Sequence, residues 1–271
     1  MEGMSKEKRY AVSAMFRTLQ GEGLRAGTPA VFCRLSGCNA WNGTPADRSK
    51  GKGECARWCD ADFRPREHLT AEEIVARLNT LWPAVEKEGT PFETRLGTFE
   101  SRWVVVTGGE PLLQLDRHLT TAMRNAGWMI AVETNGSVLP KELVASEVDH
   151  FCVSPKRGLA TIDPGVFCAS ESTHQTRELK VVCAGDDWLD SEVFLLGKEF
   201  AEQGFRLYVQ PRDPINPQVV EASHLIALRH NVVKPTHAEQ YKRALEWCIA
   251  FVQKCPAWTL SAQLHKYLGL E

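Results

Sequence analysis

No run of apolar residues in the sequence approaches the roughly 20 needed to cross a bilayer. Nor is there an excess of either charge, since 32 basic against 34 acidic residues leave a formal charge of −2. The first absence argues against a membrane protein. The second argues against a chain that coats anionic lipid or wraps nucleic acid through its overall field, so an anionic ligand must be met by local groups. The opening stretch MEGMSKEKRYAVSAMF is charged where a secretory signal needs an apolar segment, and a cytoplasmic location is expected. Repeats and low-complexity tracts are missing too, leaving no sign of a repeated array or a disordered linker. Cysteine is present but not in a form that suggests disulfides, because nine is an odd number and a reducing compartment keeps thiols free. Cys152, Cys168, Cys183, Cys248 and Cys255 lie apart, mostly in apolar segments, and read as small buried side chains.

What is there is the balance of a folded protein with a sizeable core: 271 residues, 43% hydrophobic and 24% charged, expected to form one domain over 1–271. Strand-like and helix-like segments alternate. RYAVSAMF and PAVFCRL are rich in β-branched and aromatic residues, and LTAEEIVARLNTLW opens with Thr70 and Glu73 in capping-box register. The strand RWVVVTGG then enters a glycine turn, a helix is expected from about Leu112 to Asn125, and WMIAVETNG reads as the next strand. A short helix near Lys141, the strands HFCVSPK, ELKVVC and FRLYVQP, helices around 187–203 and near Val219 and Ala238, and a final strand-like WTLSAQ follow. Such βαβ alternation predicts an α/β fold with a mostly parallel sheet and helices outside it.

The polar residues are distributed unevenly over that pattern. TGGEP (107–111), ETNGS (133–137), SPK (154–156) and QP (210–211) each fall where a strand gives way to its connection. Any one of them is an ordinary turn. Four at the same strand end mark the mouth where parallel α/β folds build their sites. The segment GCNAWNGTPADRSKGKGECARWCDADF (37–63) adds Cys38, Cys55 and Cys59 in a setting too polar for core. With Cys33, four thiolates would suit structural zinc. However, Cys33 and Arg34 are neighbours on a strand and face opposite ways, so Arg34 and Cys38 share a site only if Cys33 looks away. Three thiolates would instead leave one iron of a four-iron cube open to a ligand. Brown colour in the purified protein separates the two readings.

Taken together, TLQGEG, FCRLSGCN, WCDAD, VTGGEPLLQLD, ELKVV, VQP and the closing HKYL resemble the 7-carboxy-7-deazaguanine synthase family of radical S-adenosylmethionine enzymes, from about Val12 to the last residue. The resemblance implies a modified, incomplete β/α TIM-like barrel. It implies a 4Fe–4S cluster on Cys38, Cys55 and Cys59 whose fourth iron binds S-adenosylmethionine, and a 5′-deoxyadenosyl radical that abstracts hydrogen from C6 of 6-carboxy-5,6,7,8-tetrahydropterin before ring contraction and loss of ammonia. For cofactor binding it implies Trp58, Gly108, Gly109, Glu110, Glu133, Asn135, Ser137, Ser154, Lys156 and Gln210, with Glu110 on the methionyl ammonium and the glycines admitting its close approach. For the substrate it implies Leu19, Gln20, Gly21, Glu22, Arg34, Thr107, Gly109, His265 and the main-chain carboxylate of Glu271, with Arg34 on the substrate carboxylate and Glu22 on its guanidine-like edge. It further implies an electron donor such as flavodoxin or ferredoxin and a homodimer. A cluster- or zinc-bearing protein without turnover, or an activase acting on a protein partner, is the competing class.

Two departures from the family pattern stand out. Sixteen residues separate Cys38 from Cys55, an insert over 39–54, and three separate Cys55 from Cys59, one more than expected. Ala61 stands where relatives carry a threonine that helps hold Mg2+ beside the substrate. Asp60 and Asp62 flank it and are expected to face away from it, leaving a magnesium site near Asp60 that is weakened rather than lost.

Overall fold

The computed structural model describes residues 7–82, 101–141, 144–168, 175–213 and 236–270. The expected helix near Val219 and the terminal Glu271 lie outside them. Among the described residues nine strands form one sheet: β1 (Tyr10–Leu19), β2 (Pro29–Leu35), β3 (Glu67–Leu69), β4 (Arg102–Gly108), β5 (Trp128–Thr134), β6 (His150–Val153), β7 (Thr176–Cys183), β8 (Arg206–Pro211) and β9 (Trp258–Leu260), in the order β3-β1-β2-β4-β5-β6-β7-β8-β9. From β2 to β9 every neighbouring pair is parallel. The first two strands form an antiparallel pair, and β3 adds antiparallel to β1 at the edge, a strand that the sequence pattern does not announce. Three residues are too few to show a period.

The helices are α1 (Ala71–Leu81), α2 (Arg117–Asn125), α3 (Val144–Glu147), α4 (Asp190–Glu202), α5 (His237–Lys254) and α6 (Leu264–Leu268). The capping box of α1 is formed, with Thr70 Oγ1 accepting from Glu73 N and Glu73 Oε2 accepting from Thr70 N. The helix expected from Leu112 starts later. Pro111–Leu113 make a single 3-10 turn, and α2 begins only after Asp116, whose carboxylate caps Leu119 N at 3.1 Å. Pro111 and Asp116 both act as start signals, and the second wins because its side chain satisfies an orphan N–H.

Alternation along the parallel strands separates two faces. Cys33, Leu35, Val104, Val106, Ile130, Val132, Phe151, Val153, Leu179, Val181 and Val209 face the helices and pack with Ile74, Leu78, Leu119, Met123, Phe200 and Phe251 into the main core. The opposite face is apolar toward the strand beginnings, where Ala30, Phe32, Trp103, Val105 and Ala131 form a second cluster. Toward the carboxyl ends it turns polar, carrying Arg34, Thr107, Glu133, Ser154, Lys180 and Gln210. Period-2 geometry thus gives one sheet a continuous helix-covered face and a functional face confined to one end.

Candidate functional site

That polar end opens into a cavity of about 330 Å³. In the parallel register Arg34 stands beside Thr107, and Glu133 beside Cys152, so neighbouring strands deliver side chains to one wall at one level. Leu19, Gln20, Gly21 and Glu22 line it from the β1 end, Trp58, Asp60 and Ala61 from the cysteine loop, and His265 from α6. Asn135, Ser154, Lys156 and Gln210 line it from the ends of β5, β6 and β8.

Cys38, Cys55 and Cys59 all line this cavity. Their loop has a small core of its own, in which Ala40, Trp41, Cys55, Ala56 and Phe63 are buried, contrary to the expectation that so polar a stretch lies outside any core. Arg48 fastens the loop by donating to Ala56 O (2.7 Å) and Cys59 O (2.9 Å) while its guanidinium stacks 4.6 Å from the Trp41 ring. Burial pushes all three thiols up, Cys55 to about 11. Cys33 is wholly buried in the main core, and so does not join them. Among the described residues no group of three or more His, Cys, Asp or Glu is gathered as a metal-ion site.

Gly108 and Gly109 are glycines for a reason inside the protein. A Cβ on Gly108, at φ +142°, would lie 1.9 Å from Leu35 O, and one on Gly109 would lie 2.3 Å from Gly37 O and 2.7 Å from the Cys38 Cβ. The turn after β4 is pressed against the backbone that carries the first cysteine. Gly109→Ala should therefore displace Cys38 and lower the iron retained after anaerobic reconstitution, read as visible absorbance per chain.

Glu110, expected on a ligand ammonium, does not line the cavity and is fully buried. Its Oε2 accepts from Asn135 N (2.7 Å) and its Oε1 from Leu112 N (3.0 Å) and Thr134 Oγ1 (2.8 Å), joining the β4 and β5 turns. Burial raises its carboxyl to about 7 against these hydrogen bonds. An amide in its place turns an N–H toward a backbone N–H whichever way it flips, so Glu110→Gln should cost about 1–3 kcal/mol of stability in denaturant unfolding. Ser137 also stands back from the cavity. It donates to Asn135 Oδ1 (2.6 Å) and accepts from Asn39 Nδ2 (2.8 Å), while Asn135 Nδ2 donates to Asn39 Oδ1 (2.9 Å). This closed set ties the insert to the end of β5.

Glu22 and Lys180 bring opposite charges into the cavity. Their side chains form an ion pair, 15% and 6% exposed, and Gln263 Nε2 donates to the other Glu22 oxygen at 2.9 Å. Burial alone would raise the Glu22 carboxyl, but Lys180 and Gln263 outweigh it and hold it at about 2. Burial would likewise lower the Lys180 ammonium, which Cys152, Glu22, Glu133 and Glu178 together hold well above its usual value. A surface pairing of Glu22 with Arg34 does not occur. Arg34 is half-buried on the cavity wall with no ion pair among the described residues. Glu133 accepts from Gln20 Nε2 (2.9 Å) and Thr107 Oγ1 (3.1 Å), and Gln210 accepts from Ser261 Oγ (2.8 Å). The Trp58 ring lies between two cations, Lys156 at 5.8 Å and Arg212 at 5.5 Å.

Lys180, Gln263, Arg212 and Asp213 are cavity residues that sequence reasoning missed. Lys180 carried a signal, a lysine flanked by Leu179 and Val181 in the apolar half of its strand. The expected orientation of Asp60 needs correcting. Ala61 brings a methyl group to the cavity, and Asp60, expected to face away, lines it as well. Asp60 Oδ2 receives Lys266 Nζ at 3.1 Å, while Asp62 is taken by Arg64 (2.9 Å) and Arg66 (3.2 Å). Ala61 offers no side-chain oxygen and both flanking aspartates are already paired with cations, so the residues present make a poor site for Mg2+.

No protein-family model matches the chain. A protein of Burkholderia multivorans named 7-carboxy-7-deazaguanine synthase is 36% identical over 267 residues, covering 96% of this chain and 99% of its own length. One of the same name from Caulobacter vibrioides is 33% identical over 267 residues, again covering 96% and 99%. The crystal structure of QueE from Escherichia coli superimposes with a TM-score of 0.56 at 21% identity, covering 95% of each chain, and shares the fold.

Proposed function

Because this chain belongs to the 7-carboxy-7-deazaguanine synthase family, we propose that it converts 6-carboxy-5,6,7,8-tetrahydropterin to 7-carboxy-7-deazaguanine with loss of ammonia, in 7-deazapurine and queuosine biosynthesis. Cys38, Cys55 and Cys59 would hold a 4Fe–4S cluster, with S-adenosylmethionine seated among Trp58, Gly108, Gly109, Asn135, Ser154 and Lys156. When bound, these groups supply one-electron reductive cleavage and hydrogen-atom abstraction. The sheet is read as an incomplete barrel, its strands from β4 to β9 following one another in order and β3 and β9 forming its edges.

The observation that carries this reading is the meeting of three loop thiols with an unpaired Arg34 and a fixed Glu22 in one cavity. Arg34 binds the substrate carboxylate. Glu22, kept ionised by Lys180, accepts two parallel N–H bonds from the guanidine-like edge, and Gln20 and Thr107 hold Glu133 in place beside it. His265, stacked on Gly21 so closely that a Cβ there would meet its Nδ1 at 2.0 Å, closes the cavity and excludes water. A cytoplasmic homodimer fed by flavodoxin or ferredoxin belongs to the same proposal.

Anaerobic reconstitution tests the reading. The protein should turn brown, bind about four irons per chain, and form 5′-deoxyadenosine from S-adenosylmethionine under a strong reductant. A colourless protein with one zinc, or a brown one without cleavage, would instead indicate a binding protein on the same scaffold.

A further inference from the structure

The corner of the cavity where magnesium was expected already holds a cation. Helix α6 is fastened across three walls: Leu264 N donates to Gly21 O (2.8 Å), Gln263 to Glu22 (2.9 Å), and Lys266 Nζ lies 3.1 Å from Asp60 Oδ2 and 3.3 Å from Asp213 Oδ2. Asp60 directly follows Cys59, and Asp213 follows the end of β8 with its side chain only 13% exposed. The ammonium therefore joins the loop carrying the third cysteine to the far wall. Ala61, beside it, offers no oxygen from its side chain. A divalent ion taken by Asp60 at this corner would face a like charge on a tethered side chain.

We propose that Lys266 is a positioning residue whose ammonium bridges Asp60 and Asp213 where the family resemblance places magnesium, so that this chain binds and turns over its substrate without a divalent ion. The proposal rests on the pterin reading above. An ammonium pairs with two carboxylates without the octahedral demand of magnesium, and its tether removes any dependence on ion concentration. It acts on the substrate through α6, because the strap that fixes Lys266 also fixes Gln263 on Glu22 and His265 over Gly21.

The test is a set of initial-rate curves for the reconstituted enzyme over a range of pterin concentrations, in chelator and in millimolar magnesium chloride. The wild-type curves should superimpose. Lys266→Met should raise KM for the pterin about tenfold, equivalent to about 1.4 kcal/mol, with kcat changed less, and Lys266→Arg should restore most of the loss. Magnesium should leave Lys266→Met unchanged but lower the KM of Lys266→Met combined with Ala61→Thr. Wild-type activity lost in chelator and regained with magnesium would overturn the proposal, as would wild-type KM in Lys266→Met. Melting temperature against magnesium chloride is read in parallel: no shift for the wild type supports the proposal, and a clear rise contradicts it. Absence of pterin turnover under every condition would sink the pterin reading instead, and the melting curves would still decide whether the corner takes magnesium.

Discussion

Replacing any one of Cys38, Cys55 or Cys59 by alanine should abolish both the visible absorbance of the reconstituted protein and its cleavage of S-adenosylmethionine. Each loss leaves a second iron without a protein ligand, and a cube held by two thiolates is not retained. All three sulfurs reach the same cavity, so none is a spare. Cys33→Ala is the contrasting variant. It removes a sulfur buried among Val31, Leu35, Val104 and Val106, costs a fraction of the stability that a large core truncation would, and should leave the protein brown. A colourless Cys33→Ala beside a brown Cys55→Ala would reverse the ligand assignment.

The second large effect is expected at Lys180. Lys180→Met keeps the length of the side chain but leaves the Glu22 carboxylate buried without its ammonium, and removing one partner of a buried pair typically costs about 3–5 kcal/mol. The pH dependence gives the loss a signature. In the wild type the Glu22 carboxyl is depressed from 4.5 to about 2, so its contribution is fully present above 4.5 and is lost as pH falls toward 2. That shift corresponds to on the order of 3 kcal/mol at neutral pH. In Lys180→Met burial acts with less opposition, the carboxyl titrates higher, and stability should fall as pH rises above 4.5. Unfolding free energies measured by urea titration between pH 4 and pH 7 should therefore diverge, with the variant losing most at the upper end. Parallel curves would mean that Lys180 does not set the charge of Glu22.

The strands were legible because alternation leaves a strong trace: PAVFCRL and RWVVVTGG bury one face among helices and deliver Arg34 and Thr107 to the other. The glycine turn, the Asn-Gly turn and the α1 capping box were legible too, since each follows from contacts within a few residues. What stayed hidden depends on distant parts of the chain meeting. Glu22 and Lys180 are 158 residues apart, and Gln263 lies 241 from Glu22, so no local pattern announces the cluster they form. Glu110 carries a structural task that its motif does not show. Its place after two glycines suggested a ligand contact, whereas the fold uses it to satisfy the N–H groups of Leu112 and Asn135. Asp60 was misplaced because alternation was assumed where the chain is not a strand.

The most direct measurement follows a deuterium atom. The reconstituted protein is supplied anaerobically with reductant, S-adenosylmethionine and 6-carboxy-5,6,7,8-tetrahydropterin labelled with deuterium at C6, and the products are read by mass spectrometry. Deuterium at the 5′ carbon of the adenosyl group, in 5′-deoxyadenosine or S-adenosylmethionine, together with formation of 7-carboxy-7-deazaguanine is the expected result. Formation of 5′-deoxyadenosine without the label, while the pterin is recovered unchanged, would contradict the assignment of this cavity to that substrate.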